Sequence, residues 1–260
     1  MEWQRDLVAL LVGMVVAALT APVGVSGAVF LLPVQLSVLQ VPNPQVTPTN
    51  LLFNVVSGPG ALWRYWRRRQ LDPVLVRALL LGCVPGVVIG AVLRVHVVSD
   101  PAVFRLVAAG VLLPTGLFIL RPRHTPRDGR TAITAPRTIS ALALAVGVVG
   151  GLYGIGGGSI LGPILVGSGL AVTVVAPAAL ASTMVTSVVG VVAFALLALG
   201  SHDQIAPDWS IGLASGLGGL VGGYVGASLQ PYLPEPLLRR LLGLAAVTVA
   251  LGYLAQALSG

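Results

Sequence analysis

The sequence predicts an all-α, polytopic membrane protein, and three observations support this fold class. Of its 260 residues, 56% are apolar and 9% are charged, whereas charged residues ordinarily make up about a quarter of a soluble domain. The apolar residues form long runs rich in Leu, Val and Ala, which favours helices over a transmembrane barrel. At roughly 20 residues per crossing, the chain has room for about eight to ten crossings. Almost nothing is left for a soluble catalytic domain, so we expect no enzymatic activity.

The basic residues indicate a membrane orientation. The 15 Lys and Arg positions are all Arg, and most lie between apolar runs, with clusters at Arg64–Arg69, between Arg121 and Arg137, and at Arg239 and Arg240. This distribution is typical of cytoplasmic loops under the positive-inside rule. We therefore expect a multi-pass protein of the plasma (inner) membrane, whose surroundings are the lipid bilayer and not a nucleic acid.

Ten apolar segments are divided into five and five by one long polar stretch. The segments cover 7–21, 26–40, 46–63, 74–96, 103–120, 139–153, 156–170, 174–199, 209–229 and 237–258. A first membrane repeat at 1–120 is thus followed by a basic cytoplasmic linker at 121–138 and a second membrane repeat at 139–260. The first two segments of each half are about 15 residues long, too short to cross comfortably. We expect broken or re-entrant half-helices there.

The two halves share three blocks of residues in the same order, as expected of a duplicated unit. The matching pairs are Gly24–Gly154, Gly27–Gly157, Pro33–Pro163, Pro44–Pro177, Thr49–Ser182, Asn50–Thr183, Gly86–Gly222, Gly90–Gly226 and Ala91–Ala227. Equivalent loops carry opposite charge: 64–72 is basic and 201–208 is acidic, whereas 97–102 carries Asp100 and 231–240 carries Arg239 and Arg240. The repeats are therefore predicted to be inverted in the membrane.

The remaining charged residues suggest neither a pump nor a metal or cofactor site. Every Asp and Glu falls in a loop or at a segment end, whereas a cation or proton pump normally needs a carboxylate at membrane depth. The three His residues are scattered and the single Cys83 lies within an apolar segment, so no metal-ligand set is present. Arg77, Arg94 and Arg105 lie near segment ends, and we expect their side chains to reach the lipid head groups.

A glycine-rich block at 150–159, followed by Pro163, is the strongest local signal, and a weaker copy occupies 22–28 before Pro33. A nucleotide-binding loop is excluded because the block follows no strand and the chain has no Lys. Glycines at membrane depth let the chain unwind and direct backbone N–H groups and the positive end of a helix dipole at an anion. Close helix packing by small residues is the alternative.

A cluster of hydroxyl and amide side chains begins the third segment of each half. Asn50, Asn54 and Ser57 share one helix face, as do Ser182 and Thr186. These groups could replace the water shell of a small oxyanion, or each hydroxyl could bond its own helix backbone. From the two features together we predict a substrate site that comprises Gly24, Ser26, Gly27, Thr49, Asn50, Asn54, Gly156, Gly157, Gly158, Ser159, Ser182, Thr183 and Thr186.

These blocks resemble the sulfite exporter TauE/SafE family over nearly the whole chain. The resemblance rests on 150–159 with Pro163, its first-half copy, Thr49-Asn50, 181–183 and the Gly86/Gly90 and Gly222/Gly226 pairs. The first-half copy departs from the family's run of glycines at Ser26 and Ala28. The resemblance implies a secondary transporter of sulfur-containing anions such as sulfite or sulfoacetate. An anion channel, or a membrane enzyme or assembly factor without transport, stays open as an alternative, as do a co-transported proton and a homo-oligomer.

Overall fold

A computed structural model describes residues 2–97, 135–168, 170–199 and 205–258, together with isolated positions between 106 and 121. More than half of the predicted fifth segment and most of the linker lie outside the described residues, as do Asp100, Arg105 and positions 201–204 of the acidic loop at 201–208. The structural statements that follow concern the described part of the chain.

Nine α-helices and two short 3₁₀ turns make up the described structure, which contains no strand. The helices are α1 (Glu2–Thr20), α2 (Ala28–Ser37), α3 (Val46–Arg67), α4 (Pro73–His96), α5 (Pro136–Tyr153), α6 (Gly158–Gly167), α7 (Val172–Leu199), α8 (Trp209–Leu229) and α9 (Glu235–Leu258). Five stretches are long and apolar enough to cross a membrane, namely Trp3–Val23, Pro73–His96, Pro136–Tyr153, Val172–Leu199 and Trp209–Tyr232. The predicted all-α polytopic class is confirmed.

The prediction of short first segments is wrong, and that of short second segments is confirmed. Helices α1 and α5 have 19 and 18 residues, because each begins with a turn that carries charged residues such as Asp6 or Arg137. Those charges lie where a helix leaves an apolar layer, so the apolar run alone underestimates the helix. Helices α2 and α6 have 10 residues each, about 15 Å of helix.

The chain breaks in the same way between α1 and α2 and between α5 and α6. Gly24 and Gly154 adopt left-handed backbone angles, with φ of 76° and 69°, which glycine reaches without steric cost. The amide of the next residue then turns back, from Val25 to Thr20 O (3.3 Å) and from Ile155 to Gly150 O (3.1 Å). We call residues 21–27 the first break and 154–157 the second break.

Close contacts at glycines define the relative directions of neighbouring helices. An added Cβ at one member of each pair would meet the backbone or side chain of the other, and the pairs advance together along the chain. They are Leu10–Gly218 and Ala18–Gly226 for α1 and α8, Gly82–Ser140 and Gly90–Val148 for α4 and α5, and Leu52–Gly212 and Gly60–Leu220 for α3 and α8. All three helix pairs are therefore parallel.

Helix α7 packs between α3 and α4. Its contacts with α3 run in reverse, from Met184 against Gly58 to Gly190 against Leu51, so these helices are antiparallel. Its contacts with α4 advance together, from Ser182 beside Cys83 to Gly190 beside Val87. Helices α1, α3 and α8 therefore run in one direction, and α4, α5 and α7 run in the other.

The two ends of the helix bundle differ in charge. At the end where α3 stops and α4 and α5 begin, which we call the basic end, lie Arg64, Arg67, Arg68, Arg69, Arg77, Arg137 and Arg240. The opposite end, which we call the Arg94 end, holds the last turn of α4 and the first turns of α1 and α3. Asp6 and Asp208 lie there. This distribution is the one the positive-inside rule associates with a cytoplasmic basic end.

Candidate functional site

The N-termini of the two short helices meet in the interior of the bundle. The amide of Ser26 in the first break donates to Ser159 Oγ at the start of α6 (3.3 Å), and both residues are buried. Ser159 Oγ in turn donates to Ile155 O (2.7 Å) and lies 3.4 Å from Thr183 Oγ1. The positive ends of two helix dipoles thus lie together, lined by neutral hydroxyl groups.

Two amides of α3 hold both breaks from one side. Asn50 Nδ2 donates to Ala28 O (2.9 Å). Asn54 Nδ2 donates to Gly154 O (3.3 Å), and its Oδ1 accepts a bond from Ser26 Oγ. Asn50 is fully buried and Asn54 nearly so. The one-face spacing predicted for these residues therefore brings one helix into contact with both breaks.

The glycines of the second break permit very close packing as well as an unusual backbone. A Cβ at Gly154 would lie 2.2 Å from Thr47 O, and one at Gly158 would lie 2.0 Å from Ala179 O. Gly156 has φ of +71° and lies against Thr183. The two interpretations of the motif, an unwound backbone and close helix packing, are therefore compatible, because the close packing buries the irregular backbone.

A small cavity of about 30 Å³ adjoins the first break. Its wall includes Ser26, Gly27, Asn54 and Thr183 from the predicted site, and on α3 it extends from Asn54 through Ser57 to Ala61. Its course therefore runs from the interior toward the basic end. None of the described residues that line it is charged, and its volume is sufficient for one or two water molecules.

Some residues of the predicted site lie elsewhere. Thr49 Oγ1 donates to Gln45 O (2.7 Å) and accepts from the amide of Asp208 (2.8 Å), so it joins α3 to the start of α8 at the Arg94 end. Thr186 Oγ1 bonds the carbonyls of Ser182 and Thr183 in its own helix. For Thr186, the backbone-bonding alternative describes the structure.

The second break contacts Cys83, a residue that the predicted substrate site does not include. Gly157 lies against Cys83, whose Sγ would be 2.4 Å from an added Cβ. Cys83 is fully buried. A lone cysteine in an apolar run offers no sequence signal of its own, but its position is equivalent to Gly219, which lines the cavity.

Arg94 does not extend to the lipid head groups as expected. It is 2% exposed, its Nε donates to Thr47 Oγ1 (3.2 Å) and its Nη2 donates to Asn43 Oδ1. Thr47 Oγ1 in turn donates to Leu152 O near the C-terminus of α5 (3.2 Å). The guanidinium is retained inside because it compensates the polar start of α3 and the negative end of the α5 dipole.

Long apolar helices that surround two broken helices, whose starts meet at a cluster of buried hydroxyl and amide groups, are the architecture of a polytopic membrane transport protein. A profile of the family described as Sulfite exporter TauE/SafE matches residues 9–253, and the chain belongs to this family of membrane transporters. Its predicted membership is confirmed.

Two curated relatives come from the bacterium Xylella fastidiosa, and each is named a probable membrane transporter protein. The protein of strain 9a5c is 26% identical over 246 residues, which cover 88% of this chain and 87% of the relative. That of strain Temecula1 is 27% identical over 254 residues, with coverage of 88% and 87%. Their similarity extends over both halves of the chain, as does the family match.

Proposed function

We propose that this protein is a secondary carrier that moves small, sulfur-containing anions such as sulfite or sulfoacetate across the plasma membrane by alternating access. Its substrate site lies where the two breaks meet, between Ser26, Asn54, Ser159 and Thr183. The sulfur-containing substrate class follows from the family description, and the small anion follows from the chemistry of the site.

The observation that carries the proposal is the pair of half-helix N-termini that face one buried cluster of hydroxyl and amide groups. Helix N-termini bind anions through backbone N–H groups and the helix dipole, and broken helices near the midplane recur in carriers. Neutral hydrogen-bond donors stabilise an anion, but they hold it less tightly than a buried ion pair would. A site of this kind can therefore release its substrate as well as bind it.

The helix directions support an inverted repeat. Each helix of the first half runs opposite to its equivalent in the second half: α1 opposite to α5, α3 opposite to α7, and α4 opposite to α8. Inverted repeats allow one half to take up the conformation of the other, so that the same site faces first one side and then the other. If the basic end is cytoplasmic, as the positive-inside rule predicts, the observed cavity faces the inner side.

Proton coupling would take place on the substrate itself. In the described part of the chain the carboxylates lie near helix ends, as Asp72 and Asp208 do at the starts of α4 and α8. A weak-acid anion that carries its own proton makes a membrane carboxylate unnecessary. We therefore expect an imposed pH gradient to change the rate of sulfite flux.

The test is flux of labelled sulfite and sulfoacetate into proteoliposomes, with sulfate and chloride as competitors. Saturable flux, trans-stimulation and competition by related sulfur anions are expected of a carrier. Flux that does not saturate would indicate an anion channel, and absence of flux for every anion would contradict transport of this class.

Variants locate the site within the same assay. Thr183→Val keeps the shape of the side chain and removes the hydroxyl of a residue that lines the cavity, and Ser182→Ala removes the fully buried hydroxyl of the preceding residue on α7. Both should lower flux by about tenfold or more if one hydrogen bond to the anion is lost. The matched control is Ser228→Ala, whose exposed hydroxyl bonds Tyr224 O. Unchanged flux in both site variants would contradict the site.

A further inference from the structure

The cavity lies on one side of the breaks, and the repeat defines an equivalent region on the other side. The residues that line the cavity on α3, α7 and α8 have equivalents in the other half. Equivalent residues are 133 positions apart between α3 and α7 and 136 positions apart between α4 and α8. The equivalent positions are Thr47, Asn50, Leu51, Cys83, Val87, Ser187, Gly190, Val191 and Phe194. These residues run from the interior toward the Arg94 end.

This equivalent region is closed. A Cβ on Gly190 would lie 2.8 Å from Leu51 Cδ1 and 3.1 Å from Val87 Cγ1. Leu51 and Phe194 are 0% and 1% exposed and belong to one apolar cluster. We call Leu51 and Phe194 the plug, because they fill the space that is empty on the other side.

Polar atoms are buried beneath the plug. Asn50 Oδ1 and Ser187 Oγ have no hydrogen-bond partner within the described residues, although both side chains are fully buried. Their equivalents are Thr183 and Asn54, which line the open cavity. A buried polar atom without a partner is costly, so a state in which water or an anion reaches these two atoms would satisfy them.

The open cavity and the closed region differ in the size of the side chains that line them. Phe194 stands where the first half has Ala61, and Val191 stands where it has Gly58. Ala61 and Gly58 line the open cavity. Phe194 and Val191, together with Val87 where the second half has Gly223, therefore fill this side, whereas smaller residues leave the other side open.

Arg94 lies at the outer end of the closed region. Its partner Thr47 is one turn of α3 from both Asn50 and Leu51, and Ala91, one turn before it on α4, packs in the same cluster as the plug. A guanidinium at the mouth of a pathway attracts anions and repels cations. The polarity of this end therefore matches the anion proposed for the central site.

We propose that Asn50, Cys83 and Ser187 line a second half of the transport pathway, which the Leu51–Phe194 plug closes and which opens at Arg94 to pass the same small anion. This inference rests on the proposed carrier function. It adds Cys83, Ser187 and Arg94 to the residues that the anion encounters.

The single cysteine provides a native reporter for the test. Detergent-purified protein is treated with an anionic methanethiosulfonate that carries a sulfonate group, and the rate of Cys83 modification is compared between wild type, Phe194→Ala and Leu196→Ala. Leu196 is 64% exposed on the same helix, so it controls for the loss of apolar volume. If the plug limits the open conformation to a few per cent of the molecules, Phe194→Ala should raise the rate of Cys83 modification about tenfold, and Leu196→Ala should leave that rate unchanged.

A second reporter separates opening from unfolding. In a Cys83→Ser background, Ser57→Cys places a thiol in the observed cavity, and Phe194→Ala should slow its modification as the two sides exchange. A faster reaction at both sites would indicate general loosening and overturn the inference. Equal Cys83 rates in wild type and Phe194→Ala, with an unchanged elution volume in gel filtration, would overturn it as well.

Flux assays on the same preparations keep the two proposals apart. Reciprocal labelling without flux of any sulfur anion would retain the second half-pathway and reject the proposed substrate. Normal, saturable flux with Cys83 unreactive in wild type and Phe194→Ala would retain the carrier and reject this pathway.

Discussion

The first and second breaks turn at equivalent glycines and are stabilised differently after the turn. Gly24 and Gly154 have nearly the same left-handed φ, and the following short helices have the same length. Two and four residues after this glycine, however, the first half has Ser26 and Ala28 where the second has Gly156 and Gly158, and of these four residues only Gly156 has a positive φ. The same glycine turn is therefore followed by different side chains and a different backbone in the two halves.

The difference shows what each break depends on. In the first, the Ser26 hydroxyl accepts from the amide of Ala28 (3.0 Å) and donates to Asn54, so a side chain supports the start of the short helix. In the second, Gly158 brings that helix against the backbone of α7, and an added Cβ would lie 2.0 Å from Ala179 O. At these equivalent positions, the first half therefore relies on side-chain hydrogen bonds and the second on close packing.

Exchanging the equivalent residues Gly158 and Ala28 should produce the largest and least symmetric effect. Gly158→Ala forces α6 away from a backbone carbonyl that cannot yield, and we expect a loss of about 4 kcal/mol or more in unfolding free energy. Ala28→Gly removes one buried methyl group and adds backbone freedom, for about 1 kcal/mol. Unfolding in detergent measures both. Similar losses in the two variants would contradict the packing argument.

Replacement of Arg94 should have the next largest effect. The equivalent residue in the second half is Gln230, which is also buried and donates to Pro22 O at the first break. Arg94→Gln removes charged hydrogen bonds to Thr47 and Asn43, and we expect it to cost about 2–3 kcal/mol. Arg77→Gln, an exposed change on the same helix, is the control. Equal stability of the two variants would mean that Arg94 contributes no more than a surface arginine.

Much of the fold was predictable because long helices are delimited by their own residues. The predicted segments 46–63, 74–96, 174–199 and 209–229 agree with α3, α4, α7 and α8 within a few residues. Proline, arginine or aspartate marks most of these ends. The first helix of each half was underestimated because a charged first turn can belong to a membrane helix when it lies at the surface.

The candidate site was predictable in part because the duplication marked it twice. Gly24 and Gly154 proved to be equivalent in conformation, and Asn54 reaches both breaks. Burial of Arg94 could not be predicted, since an arginine in a last turn has the same sequence signature whether it faces lipid or a neighbouring helix. Likewise, the one-sided cavity depends on how Phe194 and Ala61 pack against other helices, which the periodicity of one helix does not specify.

Removal of the Ser26 hydroxyl should weaken the first break by an intermediate amount. Ser26→Ala leaves the Ala28 amide and Asn54 Oδ1 buried without this partner, which costs about 1–3 kcal/mol. The control is Ser37→Ala on the same short helix, where an exposed hydroxyl bonds Pro33 O. Thermal unfolding in detergent compares the two. A Ser26→Ala variant as stable as the control would indicate that packing supports the first break as it does the second.

The smallest effect, at the helix caps, gives the most direct comparison of the two halves. Asp72 and Asp208 are equivalent residues that cap α4 and α8: Asp72 accepts from the amides of Val74 (2.9 Å) and Leu75 (3.2 Å), and Asp208 accepts from that of Ile211 (3.1 Å). Replacement of either by Ala should cost about 1 kcal/mol, with the larger loss at Asp72 because it caps two amides. Asp→Asn at either position retains the capping oxygen and should restore most of the stability. If Asn rescued one position and not the other, charge rather than capping would act there, and the two ends of the bundle would differ in more than their arginines.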